Sequence, residues 1–430
     1  MLLKSALAVE LDPPVVRRLD LRVEEGRITG AGRHLARKRH EEVVDLGGKV
    51  VMPGLVCAHT HLYSSLARGM PGPARRPRSF PQILERVWWK LDRALDEESI
   101  YFSALVGAIE AVRCGTTTIV DHHASPGAIV DSLGLVAAAL RTVGVRGVLC
   151  YEVTDRGGAK ERDEGLEAND WFIAATRQHP LLRGLVGAHA SFTLTDESLG
   201  ALSDLASRYS TGIHIHLAED HCDERDATRR GYRSVVDRLD EHGLLTRRSV
   251  LAHGVHLTSR EIGLVRKAGA WLVHNPRSNM NNHVGHAPVG RFGPRTALGT
   301  DGFPADMFEE ARFGQFKVQE SPTSGRKRPM TALLQGGQRL VSELFGAPFG
   351  RLRPGAVADL VVLDYASPTP MTAGNLFAHV VGGMRSAMVE SVIAGGRWVV
   401  KDRIVAGIDV ADVHRRASKV AARLWERMRG

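Results

Sequence analysis

The sequence predicts an α/β protein: a (β/α)8 barrel of the TIM type with a small β-sandwich domain formed from both chain ends. Three observations carry this. Eight strand-like apolar runs alternate with amphipathic helical stretches through the middle of the chain. Short β-rich segments broken by turns occupy both ends. Polar, metal-competent side chains close all eight central runs, where a barrel of this type carries its chemistry.

The elements follow in order. Leu2 to Glu10, Asp20 to Glu24, Arg27 to Gly30 and Glu42 to Leu46 read as short strands. The same texture returns at Ala358 to Asp364 and at Ser391 to Val400, broken by Gly395-Gly396. Neither piece has enough apolar surface to fold alone, so residues 1–52 and 352–405 are expected to form one composite β-domain. The barrel is expected over residues 53–351. Its predicted strands are Val50–Cys57, Thr116–Asp121, Arg146–Val153, Leu185–Phe192, Gly212–Leu217, Ser249–Leu257, Ala270–Asn275 and Thr296–Thr300. Between them lie helices such as Glu98 to Arg113, with Phe102, Leu105, Val106, Ile109 and Val112 on one face and Gly115 beyond the end. Residues 406–430 read as a C-terminal helix on the spacing of Val413, Ala417, Val420 and Leu424. A doubly wound sheet is the competing architecture, but no GxGxxG follows a strand.

Composition narrows the function. Of 430 residues, 43% are hydrophobic and 24% charged, which fits a folded globular chain and not a disordered one. No apolar run approaches the ~20 residues of a membrane helix, and the N-terminus lacks the plan of a signal peptide. A cytoplasmic protein without membrane partners is expected. Cys57, Cys114, Cys150 and Cys222 include no CxxC pair, which argues against a disulfide scaffold or a thiolate zinc site. The net charge of +9 comes from dispersed arginines without interleaved aromatics, so no nucleic-acid partner is expected. The 19 histidines are the informative excess, because several end apolar runs.

His59-Thr60-His61 ends the first run. Positions i and i+2 of a strand share a face, so both imidazoles point to one side of a barrel mouth. His214 and His216 share a face in the same way, and only one of them need be a ligand. Glu219 follows three residues later, where a carboxylate can stand beside a metal as a proton shuttle. Asp301, between Thr300 and Gly302, ends the eighth run and can reach a metal or accept a proton from water. His253 ends the sixth run, either as a ligand or as a group that holds the nucleophile. Three histidines and an aspartate suit Zn2+ first and Fe2+ second, far better than Mg2+. No lysine lies between Lys160 and Lys267 to bridge a metal pair near His189, so one divalent metal per chain is expected.

These motifs resemble the amidohydrolase superfamily, in its chlorohydrolase/deaminase branch. The resemblance rests on Pro53-Gly54-Leu55 before His59-Thr60-His61, on His216-x-x-Glu219, Ala252-His253-Gly254, Gly299-Thr300-Asp301 and His274-Asn275-Pro276-Arg277-Ser278-Asn279-Met280. Within the branch, Trp88 to Ser99, Asp121 to Pro126 and Ser278 to Gly285 are most similar to SsnA-type aminohydrolases, whose substrate is unassigned. The resemblance implies metal ligation by His59, His61, His216 and Asp301, and proton transfer by Glu219. It also implies that His253 orients the hydroxide or polarises the substrate, with His189 near the substrate. His123 and Asn279 are further expected substrate contacts. Many deaminases of the branch carry a Ser-Asn-Asn segment after the aspartate; here Gly302-Phe303-Pro304 follows, which leaves the ring system open. Homodimerisation is an expectation of the family alone.

The expected reaction is hydrolytic deamination of a purine, pterin or pyrimidine by metal-bound hydroxide. Chlorohydrolase or cyclic amide hydrolase chemistry at the same site is the alternative, and a non-catalytic interaction protein on this fold a third reading. Trp88 and Trp89 are expected in helix packing and Met70 to Arg86 in a loop over the mouth. One of His122 and His123 is expected to reach the mouth. His283 and His286 are expected in solvent.

Overall fold

The computed structural model describes residues 1–320 and 328–429. Both chain ends contribute to one nine-stranded sheet. Its order runs Ile404–Val405, Arg397–Lys401, Val389–Ala394, Leu360–Leu363, Val50–Pro53, Leu2–Leu11, Pro14–Glu24 and Arg27–Gly32, with Val43–Asp45 added beside Leu2–Leu11. The two ends meet where Val50–Pro53 runs antiparallel to Leu360–Leu363, Pro53 opposite Leu360. The sheet has its own apolar core, which draws Leu3, Leu19, Ile28 and Val51 from one end and Leu360 and Ile393 from the other.

The middle of the chain is a (β/α)8 barrel. Its parallel strands are Leu55–Thr60, Thr116–His123, Arg146–Tyr151, Leu182–Gly184 continued by Val186–Ala190, Ile213–Leu217, Val250–His253, Trp271–His274 and Thr296–Leu298. A parallel bridge from Thr60 to Asp301 closes the ring, and one from Val153 to Ala188 joins its two halves. Every strand residue of the first three is buried, as a sheet covered on both faces requires.

One strand differs from expectation. Val50–Cys57 reads as a single apolar run, but Val50–Pro53 belongs to the outer sheet and Leu55–Thr60 to the barrel. Gly54 divides them. A side chain there would meet the Thr117 hydroxyl at 2.1 Å, so only glycine lets the chain pass from one sheet to the next. Apolarity is the same on both sides of the break, and Pro53-Gly54 is the mark of it that the sequence carries.

The helix after the first strand spans Glu97–Arg113 and starts at a capping box in which Asp96 and Ser99 satisfy each other's backbone N–H. The C-terminal helix, Val410–Arg427, packs on it and anchors near the mouth, where Trp425 donates to the Leu66 carbonyl at 3.0 Å. Among the described residues no helix is long and apolar enough to cross a membrane.

Candidate active site

The strands end where the sequence places the histidines. His59 and His61 close the first strand, His216 lies in the fifth and Asp301 follows the eighth. Their ligand atoms lie within 4.8 Å of one another. Asp301 Oδ1 is 2.8 Å from His61 Nε2 and 3.6 Å from His59 Nε2, while its Oδ2 accepts the Ser278 hydroxyl.

The hydrogen bonds behind these rings decide which nitrogen faces inward. His61 Nδ1 donates to the His122 carbonyl at 2.6 Å and His216 Nδ1 to the His189 carbonyl at 2.8 Å. Each Nε2 is then left with its lone pair, and the two stand 3.1 Å apart. His59 Nδ1 meets His214 Nε2 at 2.9 Å, and its own Nε2 is buried with no hydrogen-bond partner. Converging lone pairs beside a carboxylate demand positive charge. Burial lowers His59 to about 3 and keeps His216 far below its usual value. Burial also opposes charge on His61, but the Asp301 hydrogen bond outweighs it and raises that ring to about 9. Three imidazoles and one carboxylate so arranged fit a divalent cation of the zinc type.

A second group overlaps the first: Glu219, His253 and Asp301 also lie within 4.8 Å of one another. His253 Nδ1 donates to Asn279 Oδ1 at 2.9 Å, which aims Nε2 at Glu219 Oε2, 3.4 Å away. Burial, and then the charge of Asp301, pushes the Glu219 carboxyl well above its usual range. Burial works in the same direction on Asp301, but the neighbouring imidazoles of His59 and His61, the latter 2.8 Å away, hold it well below. Two neighbouring carboxyls are thus driven to opposite protonation states, the pattern that assigns an acid and a base. The backbone under them is strained: Ala218 (φ 46°), His253 (φ 75°) and Asp301 (φ 54°) are non-glycine residues in the left-handed region.

The site opens into a cavity of about 330 Å³. His189 stands on its wall, held through Nδ1 by the Thr193 hydroxyl at 2.9 Å, and burial keeps its ring neutral, with a pKa of about 3. His123 and Asn279, both expected at the substrate, are not on that wall. His123 Nε2 pairs with Ser125 Oγ at 2.9 Å, and Asn279 positions His253 instead. Arg277 pins its loop through Glu309 and Glu310, and His283 and His286 are exposed. Trp88 and Trp89, expected in helix packing, both line the cavity. Trp88 ends a π-type turn, Leu84–Trp88, and Trp89 follows it; the turn comes after the short helix Phe80–Ile83, so the expected loop over the mouth supplies Phe80 and Leu84 to the wall.

The roles of three residues went unread in the sequence. His214 supports His59. Ser278 and Asn282 project from one turn after the seventh strand, Asn282 reaching Ser278 Oγ at 3.3 Å and Glu219 Oε1 at 3.4 Å. Their i, i+4 spacing was the available signal.

Comparison with known proteins shows the family of the chain. The sequence pattern of the amidohydrolase family matches residues 50–399. A 5'-deoxyadenosine deaminase of Methanothrix thermoacetophila is 30% identical over 414 residues, 95% of each chain. A 5-methylthioadenosine/S-adenosylhomocysteine deaminase of Syntrophobacter fumaroxidans is 30% identical over 440 residues, 98% of this chain and 97% of that one. Among solved structures, a zinc-bound adenosine deaminase from Xanthomonas campestris superposes with a TM-score of 0.86 at 23% identity, covering 98% of both chains.

Proposed function

The chain belongs to the amidohydrolase family, and from that premise we propose that it is a metal-dependent aminohydrolase that releases ammonia from the adenine ring of a nucleoside. The observation that carries the reading is the opposed protonation of Glu219 and Asp301 around His253, beside a three-histidine, one-aspartate donor set. The named deaminase relatives point the same way.

His59, His61, His216 and Asp301 would hold one divalent cation, Zn2+ ahead of Fe2+. Such a cation lowers the pKa of a bound water from about 15.7 to about 7 and so supplies the nucleophile at neutral pH. The chain's own side chains do the rest. Protonated Glu219 donates to a ring nitrogen and makes the amino-bearing carbon electrophilic. Asp301 takes the proton that the attacking water loses, and His253, fixed by Asn279, keeps that oxygen in line. Proton transfer back to the amine completes the exchange: water adds, ammonia leaves and a carbonyl remains. General acid-base assistance of this kind contributes about 10² to 10⁴-fold.

The cavity suits the substrate. Its volume lies in the range of about 300–1,000 Å³ that holds small organic ligands, and Trp88, Trp89 and Phe192 offer aromatic surface to a flat ring.

The test is ammonia release by zinc- and iron(II)-loaded protein with 5'-deoxyadenosine, methylthioadenosine, S-adenosylhomocysteine, adenosine, guanine, pterins, pyrimidines and chlorotriazines. Ammonia from the adenine nucleosides is expected. Chloride from a triazine, or a ring-opened acid, with silence on every amine, would replace deamination by another hydrolysis at the same residues.

A further inference from the structure

Beside the proposed catalytic ligands lies a pair of side chains that the reaction above does not use. His122 is the penultimate residue of the second barrel strand and Glu152 directly follows the third. His122 is fully buried and Glu152 is 3% exposed. The His122 ring donates from Nε2 to the Ala188 carbonyl at 3.1 Å. Its Nδ1 then carries a lone pair, and 3.1 Å away it faces Glu152 Oε2. Neither atom has a hydrogen-bond partner. Two buried electron pairs at that distance repel unless positive charge stands between them.

We propose that His122 and Glu152 anchor a second divalent-cation site, adjacent to the His59–His61–His216–Asp301 set and separate from it. An imidazole nitrogen and a carboxylate oxygen 3.1 Å apart match the edge of a tetrahedral zinc-type site, and the pair suits Zn2+, Fe2+ or Co2+ over Mg2+. Glu152 lines the cavity, so the site has an entry path. His61 and His216 complete a second cluster with this pair, all four ligand atoms within 4.8 Å. Each of these two rings has only one free nitrogen, because both Nδ1 atoms are committed to carbonyls. One nitrogen cannot serve two cations. The second cation therefore takes its remaining ligands from water, or draws His61 and His216 from the first. On either route it binds after the first and more weakly. It also occupies cavity space beside the nucleophile, so turnover falls as it binds.

The second strand links the two sites. The His122 carbonyl holds His61 for the first, while the His122 ring serves the second. The strand ends are tied by the Glu152 N–H, which donates to the His123 carbonyl at 2.8 Å.

The test is metal stoichiometry. The full chain is stripped of metal and dialysed against a rising Zn2+ series, with bound zinc measured by elemental analysis. The visible bands of the Co2+-loaded protein are followed in parallel. The wild type is expected to bind in two steps, and H122N and E152Q each to lose the second step and keep the first. Retention of the first step, with an unchanged melting curve, shows that the variants are folded. A wild type that saturates at one zinc per chain overturns the proposal, because a shared proton then suffices for the pair. Two steps surviving in both variants place the second cation elsewhere. Loss of both steps in both variants makes the two clusters one site. A wild type that binds no zinc at all fails the catalytic reading as well, which separates the two failures.

Discussion

At the barrel mouth, Ala218, His253 and Asp301 hold left-handed backbone while buried or half-buried. In the outer sheet the non-glycine residues with positive φ include Ser5, Glu25, Asp402 and Arg403, all exposed, Ser5 at an irregularity in the pairing of Leu2–Leu11. The treatment of charge differs in parallel. Where the sheet meets the barrel, Arg146 forks onto Asp359 at 2.8 and 3.3 Å, and within the sheet Arg22 meets Glu41 at 2.7 Å. At the mouth, lone pairs face one another across 3.1 Å. Strain and unpaired polar groups gather at the cavity, and the surrounding paired, regular structure holds them there.

Four measurements break or sharpen this contrast. Glu219→Gln keeps the shape and removes the titratable proton. We expect kcat to fall by about 10² to 10⁴-fold with bound metal unchanged by elemental analysis; near-normal turnover would take the proton-transfer role from Glu219. Arg146→Met leaves Asp359 buried with only the Gly395 N–H, 2.6 Å away, as a remaining close partner. Breaking a buried pair in this way costs about 3–5 kcal/mol. Urea unfolding should show that loss, while the folded fraction keeps its KM. A change in KM without a change in stability would mean that the outer sheet is not the stabilising partner.

His214→Phe removes the support of His59 and fills similar space. Outer supports of metal ligands are worth about 10- to 100-fold in affinity, so competition with a chelator should show zinc held that much more weakly. Unaltered zinc affinity would mean that packing alone orients His59. The smallest effect concerns acid. The hydrogen bond from Arg22 lowers the Glu41 carboxyl from 4.5 to about 2. A group depressed on folding adds stability above its unfolded pKa and loses it as the pH falls through the folded one. The melting temperature of Glu41→Gln should therefore lie below the wild type near neutrality and converge with it between about pH 4.5 and 2. A gap that persists below that window would point to packing and not to charge.

Much of the cluster at the mouth was readable because polar residues that end apolar barrel strands converge there. His59, His61, His216 and Asp301 stand out as polar residues that end apolar runs, and Glu219 by its offset from His216. The supports were harder to read. His214 resembles a spare ligand until its ring meets His59. Asn279 looks like a substrate contact until it meets His253. Trp88 and Trp89 carry the spacing of packed helix residues, and a π-type turn brings both to the cavity.

By itself the sequence determined the alternation of strand and helix, the composite sheet of the two ends and the donor types at the mouth. These follow from local periodicity and from the cost of burying an imidazole or carboxylate without a partner. The tertiary structure decided the rest: the break at Gly54, the tautomers of His61 and His216, the split between Glu219 and Asp301, and the confrontation of His122 with Glu152. Each depends on distances between residues far apart in the chain, and a proton or a lone pair responds to those distances over a fraction of an ångström.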